Sequence, residues 1–536
     1  MASTPTKVSR TLKSVIVQLA DPRVDPGVLA AFTGGEVRGR FGVIGGVALR
    51  VPYRALEALS SLPEVAWVSP DRQLSATALN WDYDHIATAA DQIWATTGCK
   101  GTGVAGAFLD TGVNKTHSDV TDGGRVKFFK DFVGGESAAY DDQGHGTHVL
   151  GMVGGSGKES SGKFIGLAPG ANLVSLKVLD SQGRGSVSTV VQALEWCIAN
   201  AATHGIRVLN LSLGHDPAES STTDPLCAAV RQCVSAGLVV VCSAGNKGKD
   251  PAGNLRYGGI SSPGNEPAAI TVGAVNTRQT ADRLDDQVCT YSSRGPTYVD
   301  QWAKPDLVAP GNRIVSLRAK DSKLDLQLPN NRILNDTNLG LGGQYFHLSG
   351  TSMAAPQVAA VAALLLQRRP GLTPNAVKAI LMYSAQRLSL TNAQGQPLSA
   401  GLSNLVQGAG SLNALAAIRV ADLVDTSKAT GQQWITGTLP ASVTIAGRDI
   451  PLAGSVLHRD HLYSGANAIT YRQTLYGSTV LWGDTVIWGD NVAIQSNGIQ
   501  ADTVLWGDTV LWGDSVLWGD SVLWDDRLEI LMATGE

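Results

Sequence analysis

The sequence has no apolar stretch long enough to cross a membrane. Its longest apolar run covers residues 358–366, whereas a spanning helix needs about 20 such residues. The net charge of -4 at pH 7 argues against nucleic acid as a partner. The first twenty residues contain lysines but no continuous apolar core, so no signal peptide is visible. We therefore expect a chain without a membrane span and without a nucleic-acid surface.

Cysteine is scarce and follows no pattern. No C-x-x-C pair and no metal-ligand spacing occurs among the six cysteines, which are Cys99, Cys197, Cys227, Cys233, Cys242 and Cys289. Disulfide bonds and buried free thiols are both compatible with the sequence. The sequence alone does not choose between them.

The remaining composition is that of a globular protein, with 43% hydrophobic and 16% charged residues. A length of 536 residues predicts two or three domains. Residues 1–78 read as a small unit with the element order β-α-β-β-α-β, which is the ferredoxin-like pattern. We expect strands at 14–19, within 36–51 and at 65–69, and helices at 28–32 and 52–61. A polar linker is expected at 74–83.

A second region alternates strands with helices. Strands are expected at 173–179, 208–213, 239–243 and 269–275, and helices at 188–204 and 225–236. The strands are apolar without alternation, which indicates burial on both faces and hence a parallel sheet covered by helices. In such sheets, sites gather at the carboxyl ends of the strands.

Ser352 stands at the start of a predicted buried helix, residues 353–367. Pro356 is expected within the first turn, where a missing N–H costs nothing. The free N–H groups and the positive end of the helix dipole would stabilise an oxyanion there. A serine at this place is otherwise simply a helix cap.

Three further motifs carry polar residues next to glycine. Asp110 ends a predicted strand in Asp-Thr-Gly, but no second copy exists, which argues against an aspartic protease. His145 and His148 lack the further ligand and the glutamate of a zinc-protease motif. His145 lies between glycines, which suggests close approach by other backbone, and His148 is interpreted as a packed helix residue. Asn246 follows a predicted strand, where an asparagine also serves as a turn former.

A dinucleotide site is excluded despite the G-x-G-x-x-G pattern at residues 101–106. That fingerprint needs a strand before it and a helix after it. Here residues 104–109 are themselves the predicted strand.

Together these motifs place Asp, His, Asn and Ser in that chain order. The segments FLDTGV, HGTHV, SAGN and GTSMAAP resemble those of the subtilisin-like serine proteases (subtilases) over roughly residues 85–420. The resemblance implies an Asp110–His145–Ser352 triad, with Asn246 in the oxyanion hole. It also implies a substrate cleft that pairs with an extended peptide. Its expected residues are Ser212, Leu213, Gly214, Ser243, Ala244 and Gly245.

The resemblance also gives the first unit a role. VIVQLA, GVALRVP and ALEALSSLPEVAWVSPD are similar to the inhibitor-type propeptide of subtilases, which would inhibit the enzyme intramolecularly and be removed by a cut within residues 71–84. A permanent binding module is the alternative. The chemistry requires no cofactor; subtilases often bind structural calcium, but no ligand set can be assigned from this sequence.

Two departures from the family pattern concern the serine motif. Gln357 stands where many subtilases carry histidine, and we expect little effect from it. A long polar stretch, including residues 321–338, precedes the motif. It is interpreted as a hairpin or loop near the serine that narrows substrate choice, or as a surface insertion.

The C-terminal region, residues 421–536, contains a hexapeptide repeat at 479–526. TVLWGD-like units keep a six-residue phase and predict a stacked β-rich structure. The tryptophans either fill the core of this structure or form an exposed face that binds substrate or attaches the protein to a cell surface. If the strands are exposed, they would favour self-association of the protein. The repeated tryptophans are Trp482, Trp488, Trp506, Trp512, Trp518 and Trp524.

The sequence thus predicts an α/β serine endopeptidase made as a self-processing zymogen. We expect a propeptide at 1–78, a catalytic domain at 79–420 and a repeat-bearing extension at 421–536. Proteins and peptides are the expected substrates, and an extracellular, periplasmic or cell-surface location is expected. The alternative is an inactive subtilase fold that binds a surface through its repeats.

Overall fold

The computed structural model describes residues 12–21, 23–41, 46–70, 87–250, 252–333, 343–392, 394–429, 431–458, 461–471 and 492–493. The chain forms two compact units, Met1–Leu79 and Asn80–Glu536. The predicted linker and cleavage region at 71–84 lies outside the described residues. So does the repeat, apart from residues 492–493.

The first unit is a four-stranded antiparallel sheet with two helices. The sheet order is β2-β3-β1-β4, and the elements follow the predicted β-α-β-β-α-β order. Valines and leucines on one face of β1 and β3 pack against the helices. The elements are β1 Leu12–Leu19, α1 Pro26–Thr33, β2 Glu36–Phe41, β3 Gly46–Pro52, α2 Leu56–Ser60 and β4 Val65–Pro70.

The second unit is built on an eight-stranded sheet with the order β11-β10-β9-β8-β5-β7-β6, in which β12 also pairs with β10. Every pairing is parallel except that of β10 with the short β11. The strands are β5 Ala105–Asp110, β6 Val126–Asp131, β7 Asn172–Lys177, β8 Ile206–Leu211, β9 Val239–Ser243, β10 Ile270–Asn276, β11 Gln287–Val288 and β12 Leu307–Pro310.

Helices cover both faces of this sheet, as the apolar strands predict. On β9, Val239 and Val241 belong to a buried cluster with the long helix α9, whereas Val240 packs with α6 and α7 on the opposite face. The helices of the unit are α3 Ala90–Thr97, α4 Ser118–Thr121, α5 His145–Gly154, α6 Val187–His204, α7 Pro225–Ser235, α8 Lys323–Gln327, α9 Thr351–Arg368, α10 Pro374–Tyr383, α11 Ala400–Gln407, α12 Ala414–Asp422 and α13 Asn467–Thr470.

Residues beyond 420 continue the same unit. Trp434, Val443 and Val456 are buried in the cluster that contains α9 and α10. The boundary expected at 420 therefore falls inside a continuous core. The additional strands are β13 Ile314–Leu317, β14 Tyr345–Leu348, β15 Ser442–Ile445, β16 Arg448–Pro451, β17 Ser455–His458, β18 His461–Ser464 and β19 Val492–Ala493.

All six cysteines lie within the described residues, and each is a buried free thiol. Burial raises the pKa of the Cys233 and Cys242 thiols to about 12. The sequence is compatible with disulfide bonds or with buried free thiols, and the structure contains buried free thiols. Among the described helices, none combines the length and apolar character that crossing a membrane requires.

Candidate active site

Asp110 and His145 are in direct contact. Asp110 is the last residue of β5 and is buried, and its Oδ1 lies 2.8 Å from Nδ1 of His145. The same oxygen accepts a hydrogen bond from the Thr111 N–H at 2.8 Å. Oδ2 of Asp110 is also buried and has no hydrogen-bond partner among the described residues. Since a carboxylate only accepts, Nδ1 of His145 carries the proton and Nε2 is left to act as a base.

The surroundings favour the protonated form of His145. Burial opposes the charged imidazolium, but the charge and hydrogen bond of Asp110, with the charge of Asp141, outweigh it and raise the pKa of His145. The imidazole is partly exposed, so a substrate can reach it.

The N-terminus of α5 is held by side chains from the segments around it. The N–H of His145 donates to Oε1 of Gln143 at 2.8 Å, and the next N–H donates to Oγ1 of Thr111 at 2.8 Å. The N–H of Thr147 donates to Oδ2 of Asp141 at 2.8 Å. Each donor that lacks a partner inside the helix is thus satisfied.

Asp141 was missed by the sequence reasoning, although it forms the centre of this arrangement. Its Oδ1 accepts from the Gly144 N–H at 2.7 Å and from Oγ1 of Thr111 at 2.9 Å. Its Oδ2 also accepts from Oγ1 of Thr147 at 2.6 Å. Asp141 therefore joins the residue after Asp110 to the helix that carries His145. Asp141 is four residues before α5, whereas the N-cap position is Gly144, so the ordinary capping signal does not mark it in the sequence.

Two glycines allow these segments to meet. Gly112 has φ +119°, and a Cβ atom there would lie 2.1 Å from the Tyr140 carbonyl oxygen. A Cβ atom on Gly146 would lie 2.4 Å from the Gly112 carbonyl oxygen. The close backbone approach expected around His145 is confirmed.

Ser352 lies in the first turn of α9, one residue inside the helix rather than before it. Its Oγ donates to the Ser212 carbonyl at 3.1 Å, and Oγ of Ser212 donates to the Ser352 carbonyl at 2.8 Å. The expectation that Pro356 occupies the first turn is wrong, because α9 begins at Thr351. Pro356 is inside the helix, where the missing N–H leaves the Ser352 carbonyl available to Ser212.

The sheet register places the two halves of the site side by side. Phe108 of β5 pairs with Asn210 of β8, and two residues further on Asp110 ends β5 and Ser212 directly follows β8. Neighbouring strands are about 4.8 Å apart. His145, bonded to Asp110, and Ser352, bonded to Ser212, are therefore at the same edge of the sheet. Among the described residues, Oγ of Ser352 has its hydrogen bond to Ser212 and not to His145.

Asn246 is oriented by the residue before Ser352. Its Oδ1 accepts from the N–H of Thr351 at 2.9 Å and from Oγ1 of Thr351 at 3.1 Å. Because Oδ1 is occupied by two donors, Nδ2 is the group turned elsewhere, and it lies beside Gly350. The exposed Asn246 thus has an amide donor near the start of α9.

The six residues expected to line the substrate cleft form two stretches, residues 212–214 and 243–245. Ser212 is buried and Gly214 is exposed. Ala244 uses its backbone within the protein, donating to Val272 at 2.9 Å and accepting from Ser261 at 3.0 Å. The Gly245 N–H donates to Oγ1 of Thr351 at 3.1 Å. Residues 243–245 can line a cleft, but the N–H groups of Ala244 and Gly245 are not available to an added strand.

His148 is a packed helix residue, as predicted. It is buried, and its Nε2 lies 3.1 Å from the Ile314 carbonyl and 3.0 Å from the Phe346 carbonyl. Burial lowers the pKa of His148 to about 3, so the ring is neutral. Within the described residues, no group of three or more His, Cys, Asp or Glu side chains is arranged to hold a metal ion.

Comparisons with known proteins identify the family of this chain. A model of the subtilase family matches residues 101–410, which include all four motif residues. Serine protease AprX of Bacillus subtilis (strain 168) is 43% identical over 286 residues, covering 52% of this chain and 61% of AprX. The match therefore spans less than two thirds of the length of AprX. M-protease of Shouchella clausii (strain KSM-K16) is 32% identical over 365 residues, covering 68% of this chain and 80% of that protein.

A crystal structure of a cold adapted subtilisin-like serine proteinase aligns with a TM-score of 0.41 and 32% sequence identity, covering 56% of this chain and 88% of that one. The family match and the coverage of M-protease decide the assignment. The chain belongs to the subtilase family of serine proteases.

Proposed function

We propose that this chain is a serine endopeptidase that cleaves proteins and peptides through an acyl-enzyme intermediate. The 2.8 Å contact between Asp110 and His145, at the sheet edge that also holds Ser352, is the observation that carries the proposal. A serine hydroxyl is a weak nucleophile and needs an adjacent base. His145 is the base, and Asp110 sets its tautomer and stabilises the imidazolium.

The reaction begins when Oγ of Ser352 turns from the Ser212 carbonyl towards Nε2 of His145. His145 takes the hydroxyl proton as Oγ bonds to the scissile carbonyl carbon. The imidazolium then protonates the leaving amine as the C–N bond breaks, which leaves an acyl-enzyme. Water, deprotonated by His145, attacks that ester, and the proton returns to Ser352 as the carboxylic acid leaves.

Asn246 is the proposed side-chain donor to the oxyanion. Its Nδ2 is turned away from Thr351 and lies beside Gly350. The Ser352 N–H is the second donor, because the first N–H groups of a helix have no partner within it. A single donor of this kind lowers the barrier by about 2.7–4 kcal/mol.

The first unit is proposed to be an inhibitory propeptide, removed by self-cleavage between residues 71 and 84. Its compact ferredoxin-like fold, which forms a unit of its own, supports this role. Maturation of this kind fits an enzyme that acts outside the cytoplasm, so we propose an extracellular or cell-surface location. The C-terminal repeat is proposed to attach the enzyme to a surface.

The test is labelling with a fluorophosphonate probe together with hydrolysis of casein. Wild type is expected to take up probe and to acquire a new N-terminus within residues 71–84. Ser352→Ala is expected to do neither, because it lacks the nucleophile. Ser349→Ala is the matched control: Ser349 is an exposed serine three residues away, and its Oγ accepts from the Arg313 N–H at 2.8 Å.

Folded wild type that takes up no probe and cleaves no casein would overturn the proposal. An inactive fold that binds through its repeats would then take its place. Equal labelling of wild type and Ser352→Ala would show that another residue reacts.

A further inference from the structure

The segment between β13 and β14 is attached to the polypeptide directly before His145. The N–H groups of Lys323 and Leu324 donate to the carbonyls of Asp142 and Gln143, each at 2.9 Å. A Cβ atom on Gly144 would lie 2.5 Å from Oγ of Ser322 and 3.6 Å from Cβ of Leu324. This segment, residues 322–331, is named the rim segment.

A buried ionic cluster holds the rim segment in shape. Asp325 accepts two hydrogen bonds from Arg318, at 2.6 and 2.7 Å, and one from Nε of Arg332 at 2.6 Å. Burial would raise the pKa of Asp325, but the hydrogen bonds from Arg318, the Asp321 N–H and Arg332 outweigh it and lower the pKa. The carboxylate is therefore charged and fixed, and such bidentate arginine pairs define geometry strongly.

Two leucines are exposed on this segment. Leu326 and Leu328 are 65% and 39% exposed. Leu328 directly follows α8, and its N–H donates to the carbonyl of Leu324 at 2.9 Å. Leu324 in turn lies against Gly144, the residue before His145. Grouped exposed apolar side chains commonly mark a binding surface.

We propose that the rim segment forms one wall of the substrate groove and selects substrates with an apolar side chain at a position that contacts Leu326 or Leu328. A polypeptide whose scissile bond lies between His145 and Ser352 must extend past the residues before His145. The Leu324 N–H is bonded to the Gln143 carbonyl, two residues before His145. A helix rises about 1.5 Å per residue, so the backbone of Leu326 and Leu328 lies within about 10 Å of that carbonyl. Extended chain advances about 3.3 Å per residue, so a few substrate residues span this distance. The inference rests on the proposed peptidase activity and adds to it a preference for an apolar substrate side chain.

The experiment uses full-length wild type and the double variant Leu326→Ser/Leu328→Ser, after titration of active sites with a fluorophosphonate. The substrates are pairs of internally quenched peptides. The two peptides of a pair differ only in carrying leucine or serine at one position, and the pairs cover each position on either side of the cleaved bond. At one position, wild type is expected to prefer leucine in kcat/KM, and the double variant to lose about tenfold of that preference. Peptides that differ elsewhere are expected to be cleaved equally by both proteins.

Leu284→Ser is the matched control, because Leu284 is 64% exposed and lies outside the rim segment. It is expected to keep the wild-type preference. An unchanged preference in the double variant would overturn the inference, as would an equal loss against leucine and serine peptides. If the wild type were a dimer and the double variant a monomer with an unchanged preference for leucine, the exposed leucines would instead bind a second copy of this chain, which would also overturn the inference. Failure of wild type to label would overturn the proposed function as well.

Discussion

Ser212 and Ser352 exchange two hydrogen bonds: each hydroxyl donates to the backbone carbonyl of the other, at 2.8 and 3.1 Å. The first bond depends on Pro356. In an uninterrupted helix, the N–H of residue 356 would occupy the Ser352 carbonyl, but proline has no N–H. The proline thus leaves the Ser352 carbonyl free to accept from Ser212, the residue that follows β8.

Ser212→Ala is expected to lower the free energy of unfolding by about 1–3 kcal/mol, because the Ser352 carbonyl loses its donor. It is also expected to lower kcat, since the first turn of α9 is less well held. Chemical denaturation and steady-state kinetics measure the two effects. The double variant Ser212→Ala/Pro356→Ala supplies an N–H to the same carbonyl and is expected to recover part of the stability. No recovery relative to Ser212→Ala would contradict the explanation.

Gly146→Ala is expected to be destabilising, although alanine usually favours a helix over glycine. The new Cβ would lie 2.4 Å from the Gly112 carbonyl oxygen, so the Asp110 and His145 segments must separate. We expect a loss of about 1–3 kcal/mol in the free energy of unfolding and a fall in kcat/KM of more than about tenfold.

The control for this substitution is Gly205→Ala. Gly205 has φ +65°, and a Cβ atom there would meet nothing within 4 Å. It is expected to cost about 1–2 kcal/mol from backbone conformation alone, with activity per folded molecule unchanged. Full activity of Gly146→Ala would show that the close approach is not needed.

Asp141→Asn is expected to reduce kcat by about 100-fold with little change in KM. The carboxylate joins Thr111, which follows Asp110, to the N-terminus of the helix that carries His145, and an amide cannot accept all of those bonds. Steady-state kinetics on a peptide substrate separate the two parameters. Asp122→Asn, which alters an exposed pair with Lys158 at 3.3 Å, serves as the control and is expected to behave as wild type.

The pH dependence of kcat/KM is expected to reflect the raised pKa of His145. A general base must be neutral, so activity is lost as pH falls through a pKa above the ordinary histidine value. Asp110→Asn and Asp141→Asn each remove a negative charge that raises this pKa. Both are therefore expected to shift the acidic limb to lower pH, and Asp110→Asn also to reduce kcat by about 10⁴-fold. If the acidic limb of the kcat/KM profile did not shift in Asp110→Asn, that limb would report the titration of a group other than His145.

The elements and the motif residues were largely predictable from local sequence. Apolar runs such as residues 239–243 indicated buried parallel strands, and the structure places β9 at Val239–Ser243. The glycines around His145 indicated close backbone approach, which is present at Gly146. Strand positions and close backbone contacts at glycine depend on neighbouring residues and on backbone geometry, so a short segment of sequence is enough to predict them.

The helix start was predicted at residue 353, two residues after the observed start at Thr351, so Pro356 lies in the second turn of α9 and not in the first. Helix ends depend on which groups outside the helix accept or donate, here Asn246 and Ser212. The role of Asp141 was missed for a related reason, because its partner Thr111 is thirty residues away along the chain.

Residue types and periodicity were enough to predict the parallel α/β architecture. The resemblance of four sequence motifs to those of subtilases indicated the family and the candidate residues Asp110, His145, Asn246 and Ser352. Three-dimensional packing established the rest. It paired Asp110 with His145, placed Ser212 against Ser352, left the cysteines as free thiols and extended the core beyond residue 420. The difference is physical: periodicity and turn chemistry act over a few residues, whereas hydrogen-bond partners distant in the chain are set by strand register and by the packing of helices on the sheet.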